Sequence, residues 1–591
     1  MLAKRKFHTD SFTRGGQIFT HEWVMRLQNF KIVFLLSLIF ASIGLGVSIW
    51  WYNLTTWHWY NFFIQGWVLS QIKVFLAFLT NALGLTKGAT PTITIIIPGQ
   101  GHIRTTAEKF LNSSWTLHHL QPIIKCFWAS LGAWMAGVTL LYTFFKYKSK
   151  KLEEKQITRG KTFEEPKIVA KLVKKNGKPN FYITPELPLP KDSENQHMAV
   201  LGTTRMGKTN YLLNHLQQIR ERGERAIILD VTGEMASVFF RPDKDKLLNP
   251  LDVRSECWDV WSEGLSEHEY DAWSASMVPE GHGDPIWHQT ARNLLAYTAL
   301  TLADDPTKSM PGILEKSCWS PLDEELMVFY ADSPVSAIMR PSAEKTASGV
   351  RMHLANSINA MRYLTSDKEP FSITQWIAQK ETDQWLFLTS LPNQRSTLAP
   401  LLASWFNFAF LGLERAGVDF TNRLWFFLDE LPGLDFPITS LKRIVAEGAK
   451  YGACCVVGLQ NTSQIDKLYG SSVRKTILSC CSTKLIFKTP DPETAKNLSD
   501  ALGEQEILHS LENFSIGASH FRDGVSLASQ QLRQAVVTPT EIMSLNKLTA
   551  FVILSGQYPI TKVTFEQTPV KANQPNFIPI SMNTSIRKEM A

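Results

Sequence analysis

A glycine-rich turn at residues 202–209 constrains the fold more than any other part of this 591-residue chain. An apolar run, 199–201, precedes the turn, and a helix-like stretch, 210–222, follows it. The turn fits the pattern G-x-x-x-x-G-K-[ST] with Gly202, Thr203, Thr204, Arg205, Met206, Gly207, Lys208 and Thr209. Glycines let successive backbone N–H groups converge on phosphate oxygens, and a helix start directs its positive end to the same point. An ordinary strand-to-helix turn is the alternative, but the flanking strand and helix favour a phosphate site.

The turn therefore predicts a site for ATP and Mg²⁺. In this pattern Lys208 reaches the β- and γ-phosphates, and the Thr209 hydroxyl binds the metal ion. The backbone of residues 202–209 forms the rest of the cradle.

A second, acidic element is expected where the apolar run LWFFL ends in Asp429 and Glu430. A buried strand would carry Asp429 to the carboxyl edge of the sheet, where it can hold the Mg²⁺ shell. Glu430 would polarise the attacking water. Gln460 ends a later apolar run, 454–460, and is a candidate γ-phosphate sensor; the alternative is an ordinary polar residue at a strand end.

Two uncharged stretches of 20 residues, 32–51 and 126–145, predict membrane-spanning helices. A helix of that length is about 30 Å long, which matches the hydrocarbon core of a bilayer. Basic residues flank the pair at both outer ends, which places both termini in the cytoplasm and the stretch between the helices outside. A helix buried in a protein core is the alternative. A third apolar stretch, 59–85, carries polar residues near its middle, and we interpret it as periplasmic or interfacial.

The remainder of the chain alternates short apolar runs with amphipathic segments, the order expected of a parallel α/β sheet. Helix-like stretches alone fill residues 256–364. The predicted fold class is α/β: an N-terminal two-helix transmembrane hairpin, then a RecA-like P-loop domain with a mainly parallel sheet and an all-α insertion. The predicted domains are a cytoplasmic tail (1–31), transmembrane helices (32–51 and 126–145), a periplasmic loop or small domain (52–125), a linker (146–191), the RecA-like domain (192–255 and 365–567), the insertion (256–364) and a loosely ordered tail (568–591).

Several further segments carry a family resemblance. They are RGGQI, LDVTGE, LLNPLDVRSECWDVW, DPIWHQTAR, LWFFLDELPGL, GLQNTSQI and FRDGVS, which together with the membrane hairpin and the glycine-rich turn extend through nearly the whole chain. In this combination the chain resembles the TraD branch of the type IV coupling proteins of bacterial conjugation, which includes TraD-, TraG- and TrwB-like P-loop ATPases.

The resemblance implies a homo-hexameric, multi-pass ATPase of the bacterial inner membrane with both termini in the cytoplasm. Such proteins receive relaxase–DNA from the relaxosome, connect it to the components of a type IV secretion channel and drive single-stranded DNA through it. The insertion resembles the family's all-alpha domain, which contributes to substrate recognition. The chain has no recognisable DNA-reading module, so contact with DNA is expected to be independent of sequence.

One family feature does not carry over. Many relatives have an arginine, acting on the neighbouring subunit, where this chain has Gly448 and Ala449. Spacing does not choose among the remaining cations: Arg443, Lys450, Arg395, Arg522 and Arg533.

Two other functions stay open on the sequence. One is an ATP-gated receptor or adaptor that delivers protein substrates to the secretion system without pumping DNA. The other is a chromosome-segregation translocase of the FtsK type. The paired carboxylates Asp429 and Glu430 favour a motor over the receptor, and the TraD-like segments argue against the FtsK type.

Overall fold

A computed structural model describes most of the chain beyond residue 120 and parts of the region before it. The described residues are 31, 33–51, 92–97, 101–106, 109, 114, 121–153, 156–280, 284–365, 367–380, 382–515, 524–569 and 571–580. The predicted cytoplasmic tail up to residue 30 and the apolar stretch 59–85 lie outside them. The chain divides into two compact units, 1–155 with 510–528, and 156–509 with 529–591.

The first unit contains the two predicted membrane helices. Helix α1 is Val33–Trp51, and helix α2, Gln121–Glu153, extends beyond the predicted span at both ends. The strands β1 (Thr92–Ile97) and β2 (Gly101–Thr106) form an antiparallel pair between them in sequence. Both helices are long and apolar enough to cross a membrane.

Small residues bring α1 and α2 into close contact. A Cβ added to Gly44 would lie 2.5 Å from Ala133 Cβ, and one added to Gly137 would lie 2.6 Å from Phe40 Cγ. Trp134 Nε1 donates a hydrogen bond to Ser37 Oγ at 2.9 Å. Close backbone approach and a polar bond between helices are the usual means of helix association in a bilayer.

The elements that follow α2 alternate strand and helix for most of their length. The strands are β3 (Gln156–Gly160), β4 (Met198–Leu201), β5 (Arg225–Asp230), β6 (Lys246–Leu248), β7 (Trp385–Thr389), β8 (Leu424–Leu428), β9 (Ala453–Leu459), β10 (Thr483–Ile486), β11 (Glu504–Ser515), β12 (Gly524–Ala535), β13 (Thr549–Ile553) and β14 (Thr561–Thr564). The helices are α3 (Pro166–Lys175), α4 (Lys208–Glu221), α5 (Glu234–Phe239), α6 (Glu267–Met277), α7 (Pro285–Thr301), α8 (Met310–Leu314), α9 (Glu324–Phe329), α10 (Glu344–Ile358), α11 (Ile373–Ala378), α12 (Arg395–Arg415), α13 (Leu441–Glu447), α14 (Thr462–Cys480, broken at Gly470), α15 (Pro492–Leu502) and α16 (Pro539–Met543).

Nine strands form one sheet in the order β14-β13-β10-β4-β9-β8-β5-β7-β6. The seven strands from β10 to β6 are parallel, and the hairpin β13–β14 is antiparallel at one edge. Strands β4, β5, β7, β8 and β9 are buried along their whole length, because apolar clusters cover both faces of the sheet. Continuous apolar runs are typical of such strands. The predicted α/β class is confirmed.

Helix α12 is also long and apolar enough to cross a membrane, but most of its length is buried in the core beside the sheet. Length and composition alone do not separate a core helix from a spanning one. Burial inside the α/β unit identifies α12 as a core helix.

The segment predicted as an all-α insertion contains only helical elements among its described residues, from α6 to α10. Its two connections to the sheet meet at the buried Glu263. The Glu263 carboxylate accepts hydrogen bonds from Trp258 Nε1 on one connection and from the Ile373 and Thr374 amides on the other. A carboxylate at the start of α11 also complements the helix dipole.

Two segments are more ordered than the sequence indicated. Within the predicted linker, β3 pairs with β11, and helix α3 buries Val169 and Val173 against the sheet domain. Within the predicted loose tail, residues 571–580 lie against the domain through backbone bonds, including Val253 N to Ile578 O at 2.9 Å. Both segments satisfy main-chain groups of the folded domain. The domain bounds at 191 and 568 stay predictions.

Candidate active site

The glycine-rich turn joins β4 to α4 at the carboxyl edge of the sheet. Gly202 has φ +150° and Gly207 has φ +117°, values that favour glycine. A Cβ on Gly202 would lie 2.6 Å from Phe487 Cβ, so a side chain is excluded there by space as well. The turn is held by Gly202 N to Leu459 O at 3.0 Å and by Leu548 N to Met206 O at 2.8 Å.

Lys208 begins α4 and reaches across to the acidic end of β8. Its Nζ lies 3.1 Å from Glu430 Oε2, and both side chains are largely shielded from solvent. Gln460, at the end of β9, donates from Nε2 to the same Glu430 oxygen. Because β4, β9 and β8 are adjacent in the sheet, the structure brings together the three predicted side chains Lys208, Glu430 and Gln460.

Asp429 lies beside this group and is buried. Burial raises the pKa of its carboxyl to about 7; the nearby carboxylates of Asp230, Glu430 and Glu234 act in the same direction, and Lys208 opposes them. Asp429 Oδ1 has no hydrogen-bond donor among the described residues. A buried carboxylate oxygen without a donor, close to further carboxylates, is the kind of ligand that Mg²⁺ prefers. The residues present therefore fit a magnesium ion.

Two acidic residues near Asp429 were not selected from the sequence. Asp230 ends β5 and is fully buried, and its Oδ1 accepts from the Gly233 amide at 2.8 Å and its Oδ2 from the Ala236 amide at 2.9 Å. These bonds fix the turn between β5 and α5. Burial, and then Asp230, raise the pKa of Glu234, the first residue of α5. Both residues belong to the segment LDVTGE, which carries part of the family resemblance and could have identified them.

Arg395, one of the candidate cations, lies at the site within its own chain. It begins α12, and its Nη2 donates to Val231 O at 2.9 Å. The other described candidates are engaged at the surface: Arg443 pairs with Glu414, Lys450 with Glu447 at 2.9 Å, and Arg533 with Glu506 at 3.1 Å. Arg522 lies outside the described residues.

Comparison with known proteins gives consistent relatives over most of the chain. Residues 181–566 match the family model described as the type IV secretion-system coupling protein DNA-binding domain. The coupling protein TraD of Escherichia coli (strain K12) is 30% identical over 599 residues, which covers 99% of this chain and 82% of TraD. The similarity to TraD therefore includes the membrane hairpin as well as the sheet domain.

Solved structures give the same picture. The unbound monoclinic form of the bacterial conjugative coupling protein TrwBdeltaN70 superposes with a TM-score of 0.64 at 28% identity, covering 72% of this chain and 97% of that one. The plasmid coupling protein TrwB in complex with ADP and Mg²⁺ superposes with a TM-score of 0.63 at 28% identity, covering 72% and 98%. The α/β unit is thus similar to a nucleotide-bound protein.

Proposed function

This chain belongs to the type IV secretion-system coupling proteins, and from that membership we propose how its site performs the coupling reaction. It is a conjugative coupling ATPase of the inner membrane that links the relaxosome to the type IV secretion system. ATP and Mg²⁺ are its substrate and cofactor, as the nucleotide complexes of TrwB indicate. The finer proposal is that hydrolysis is stimulated by DNA and drives single-stranded DNA into the channel.

One observation carries the proposed hydrolysis: the buried Asp429 and the partly exposed Glu430 follow β8 next to Lys208 of the glycine-rich turn. A phosphate cradle alone would bind nucleotide. A carboxylate within hydrogen-bond distance of the cradle lysine adds a group that can orient water for attack on the γ-phosphate. This arrangement favours a motor over a receptor that only binds ATP.

The proposed roles of the side chains follow from their positions. The backbone amides of 202–209 and the Lys208 ammonium would hold the phosphates, so Lys208 would exchange its Glu430 partner for phosphate oxygens. Thr209 and Asp429 would hold Mg²⁺, which supplies charge neutralisation at the phosphates. Glu430 would then orient the water, and Gln460, already bonded to Glu430, would report the presence of the γ-phosphate.

We further propose a homo-hexamer in which DNA contacts are made to the phosphate backbone, without sequence readout. The DNA-binding description of the matched family supports contact with DNA. Such contacts would be lost steeply with added salt, because binding releases condensed counterions. Helices α1 and α2 would both cross the inner membrane, so that both termini of the chain lie in the cytoplasm. The helical segment α6–α10 would receive the relaxase-bound substrate.

The decisive experiment measures ATP hydrolysis by the detergent-purified full-length protein with and without single-stranded DNA. Lys208→Ala and Glu430→Gln are compared with the wild type, and conjugative transfer is measured in cells for the same variants. We expect DNA to stimulate hydrolysis in the wild type, Lys208→Ala to lose hydrolysis, Glu430→Gln to keep only a low residual rate, and both variants to lose transfer. Glu430→Gln should retain nucleotide binding, because the change leaves the cradle intact.

Two results would contradict the motor. Hydrolysis that DNA does not change would favour the ATP-gated receptor for protein substrates. Transfer that survives in Glu430→Gln would show that hydrolysis at this site is not needed for DNA movement.

A further inference from the structure

Arg395 and Glu430 both lie close to Gly433. A Cβ added to Gly433 would lie 2.6 Å from Glu430 Cγ and 3.6 Å from Arg395 Nη1. The Arg395 nitrogen and the Glu430 side chain are therefore no further apart than the sum of these two distances. Gly433 belongs to the short 3-10 turn Leu431–Leu434 that follows Glu430, so the absence of a side chain there leaves the space between them open.

The Arg395 guanidinium is incompletely paired. Its Nη2 donates to Val231 O, but its Nε is buried with no hydrogen-bond partner in the described part of the chain. Two other shielded arginines are paired with carboxylates: Arg220 with Asp245 at 2.9 Å and Arg254 with Asp252 at 2.6 Å. Arg225 resembles Arg395, since its Nε also lacks a partner among the described residues and its other nitrogens bond backbone oxygens. A guanidinium has five donors in a planar fork that suits a carboxylate. Arg395 has capacity for a further acceptor, and Glu430, whose side chain also lies near Gly433, has a carboxylate that can accept.

Glu430 has a partner that nucleotide would remove. Its Oε2 is bound by Lys208 Nζ at 3.1 Å, and the phosphates of ATP compete for the same ammonium. Once Lys208 turns to phosphate, the largely shielded Glu430 carboxylate keeps the hydrogen bond from Gln460 but loses its cation, which is unfavourable. Arg395 is near enough to supply that charge from the same chain.

We propose that Arg395 is the positioning residue for Glu430: it takes over the carboxylate that Lys208 releases when ATP binds, and holds it toward the attacking water. The inference rests on the proposed ATP hydrolysis. Phosphoryl transfer proceeds through a loose transition state that depends on positioning more than on a strong base, so an arginine partner does not prevent the carboxylate from acting. Arg395 also bonds Val231 O, next to Asp230, and so joins the start of α12 to the turn after β5, while its Nη1 lies near Gly433 in the turn after β8.

The test compares Arg395→Ala and Arg395→Lys in full-length protein, with Arg423→Ala as a matched control. Arg423 is a shielded arginine that bonds backbone oxygens of Phe420 and Asn422, but it precedes β8 and lies at the opposite edge of the sheet. Steady-state hydrolysis gives kcat and KM, and a fluorescent ATP analogue gives nucleotide affinity. Each Arg395 change is also made in Glu430→Gln protein.

We expect Arg395→Ala to lower kcat by about 100-fold, the scale of a misplaced water-orienting group, with KM and nucleotide affinity unchanged. Arg395→Lys should recover part of the rate, because it restores the charge but not the fork. In Glu430→Gln protein the Arg395→Ala change should cost nothing further, since the residue acts through Glu430. Arg423→Ala should hydrolyse ATP like the wild type.

Three results would overturn the inference. An unchanged kcat in Arg395→Ala would remove the role altogether. A weaker nucleotide affinity in Arg395→Ala would make Arg395 a phosphate ligand. A kcat of the double variant equal to the product of the two single reductions would show that Arg395 acts independently of Glu430. If Arg395→Ala does not fold, Arg395→Lys in the two backgrounds decides by the same comparison. A wild type without hydrolysis would instead refute the proposed function.

Discussion

Replacing Gly433 by alanine should slow ATP hydrolysis without destabilising the fold. The added Cβ would lie 2.6 Å from Glu430 Cγ, whereas carbon atoms in ordinary contact are about 3.5–4.0 Å apart. The Glu430 side chain must therefore move by about 1 Å, which alters its position relative to Lys208 and Gln460. A misplacement of that size can cost on the order of 100-fold in rate.

The same substitution is favourable for the backbone. Gly433 lies in a 3-10 turn and is not among the glycines with positive φ, so alanine fits its conformation. Alanine in a compatible position stabilises a protein by about 0.4–1 kcal/mol, mainly by restricting the unfolded chain. The expected result is an unchanged or slightly raised midpoint of thermal unfolding together with a kcat reduced about 100-fold.

The assay measures kcat, the affinity for a fluorescent ATP analogue and thermal unfolding on the same preparations. Glu430→Gln protein serves as the control background, where Gly433→Ala should have no further effect on the residual rate. The reasoning is refuted if kcat is unchanged, because the Glu430 position would then not matter. It is refuted equally if the rate loss is accompanied by a matching loss of stability.

Three further predictions test the cradle, the metal site and the membrane hairpin. Gly202→Ala should lower the free energy of unfolding by about 3 kcal/mol and abolish nucleotide binding, since its φ is +150° and the new Cβ would meet Phe487; denaturant titration and nucleotide fluorescence measure both. Binding of Mg²⁺ and nucleotide should release close to one proton at about pH 6 and almost none at about pH 8, because Asp429 must ionise from a pKa of about 7. Titration calorimetry in two buffers of different ionisation enthalpy measures the number of protons released. The Asp429→Asn protein gives the number that the nucleotide itself releases. Without the metal, the raised pKa means that Asp429 stabilises the fold fully below about pH 4, and that contribution is lost as the pH rises through about 7. Gly137→Leu should separate α1 from α2 and reduce cysteine cross-linking between them severalfold, whereas Gly132→Leu, with open space around its Cβ, should leave it unchanged.

The sequence predicted the parts of the site that motifs encode. The glycine-rich turn, and the carboxylates and amide that end apolar runs, identify Lys208, Glu430 and Gln460, and the structure places them together. Each of these residues follows an apolar run that reads as a strand. Because the carboxyl ends of parallel strands lie at one edge of a sheet, residues that follow such strands are expected to lie close together. The functional roles assigned to them stay predictions.

The neighbours of that group were not predictable in the same way. Asp230 and Arg395 reach the site because β5 lies beside β8 and β7 beside β5, an order that alternation of strands and helices does not encode. From the sequence, Arg395 was therefore one of several candidate cations for the nucleotide site. Nothing in the sequence indicated that it lies at the site of its own subunit.

Composition also misled at two segments. Helix α3 is rich in lysine, but its lysines and its buried valines lie on different faces, so a charged stretch that seemed a linker is part of the core. Residues 571–580 are rich in proline and asparagine, and main-chain bonds, which leave little trace in a hydropathy pattern, hold them to the domain.

The strand order has a consequence for the synthesis of the protein. Among the described residues, the strand that leads into the phosphate cradle, β4, pairs with β9 and β10 alone, and these begin at Ala453 and Thr483. A ribosome adding about 5–20 residues per second needs roughly 15–60 s to reach these partners after β4 has emerged. Meanwhile the helical segment α6–α10, whose contacts are local, can fold early, whereas the apolar β4 waits without neighbours. A nascent chain that stops before Thr483 would therefore carry an exposed strand and an incomplete cradle, which makes late translation the period in which this protein depends most on chaperones.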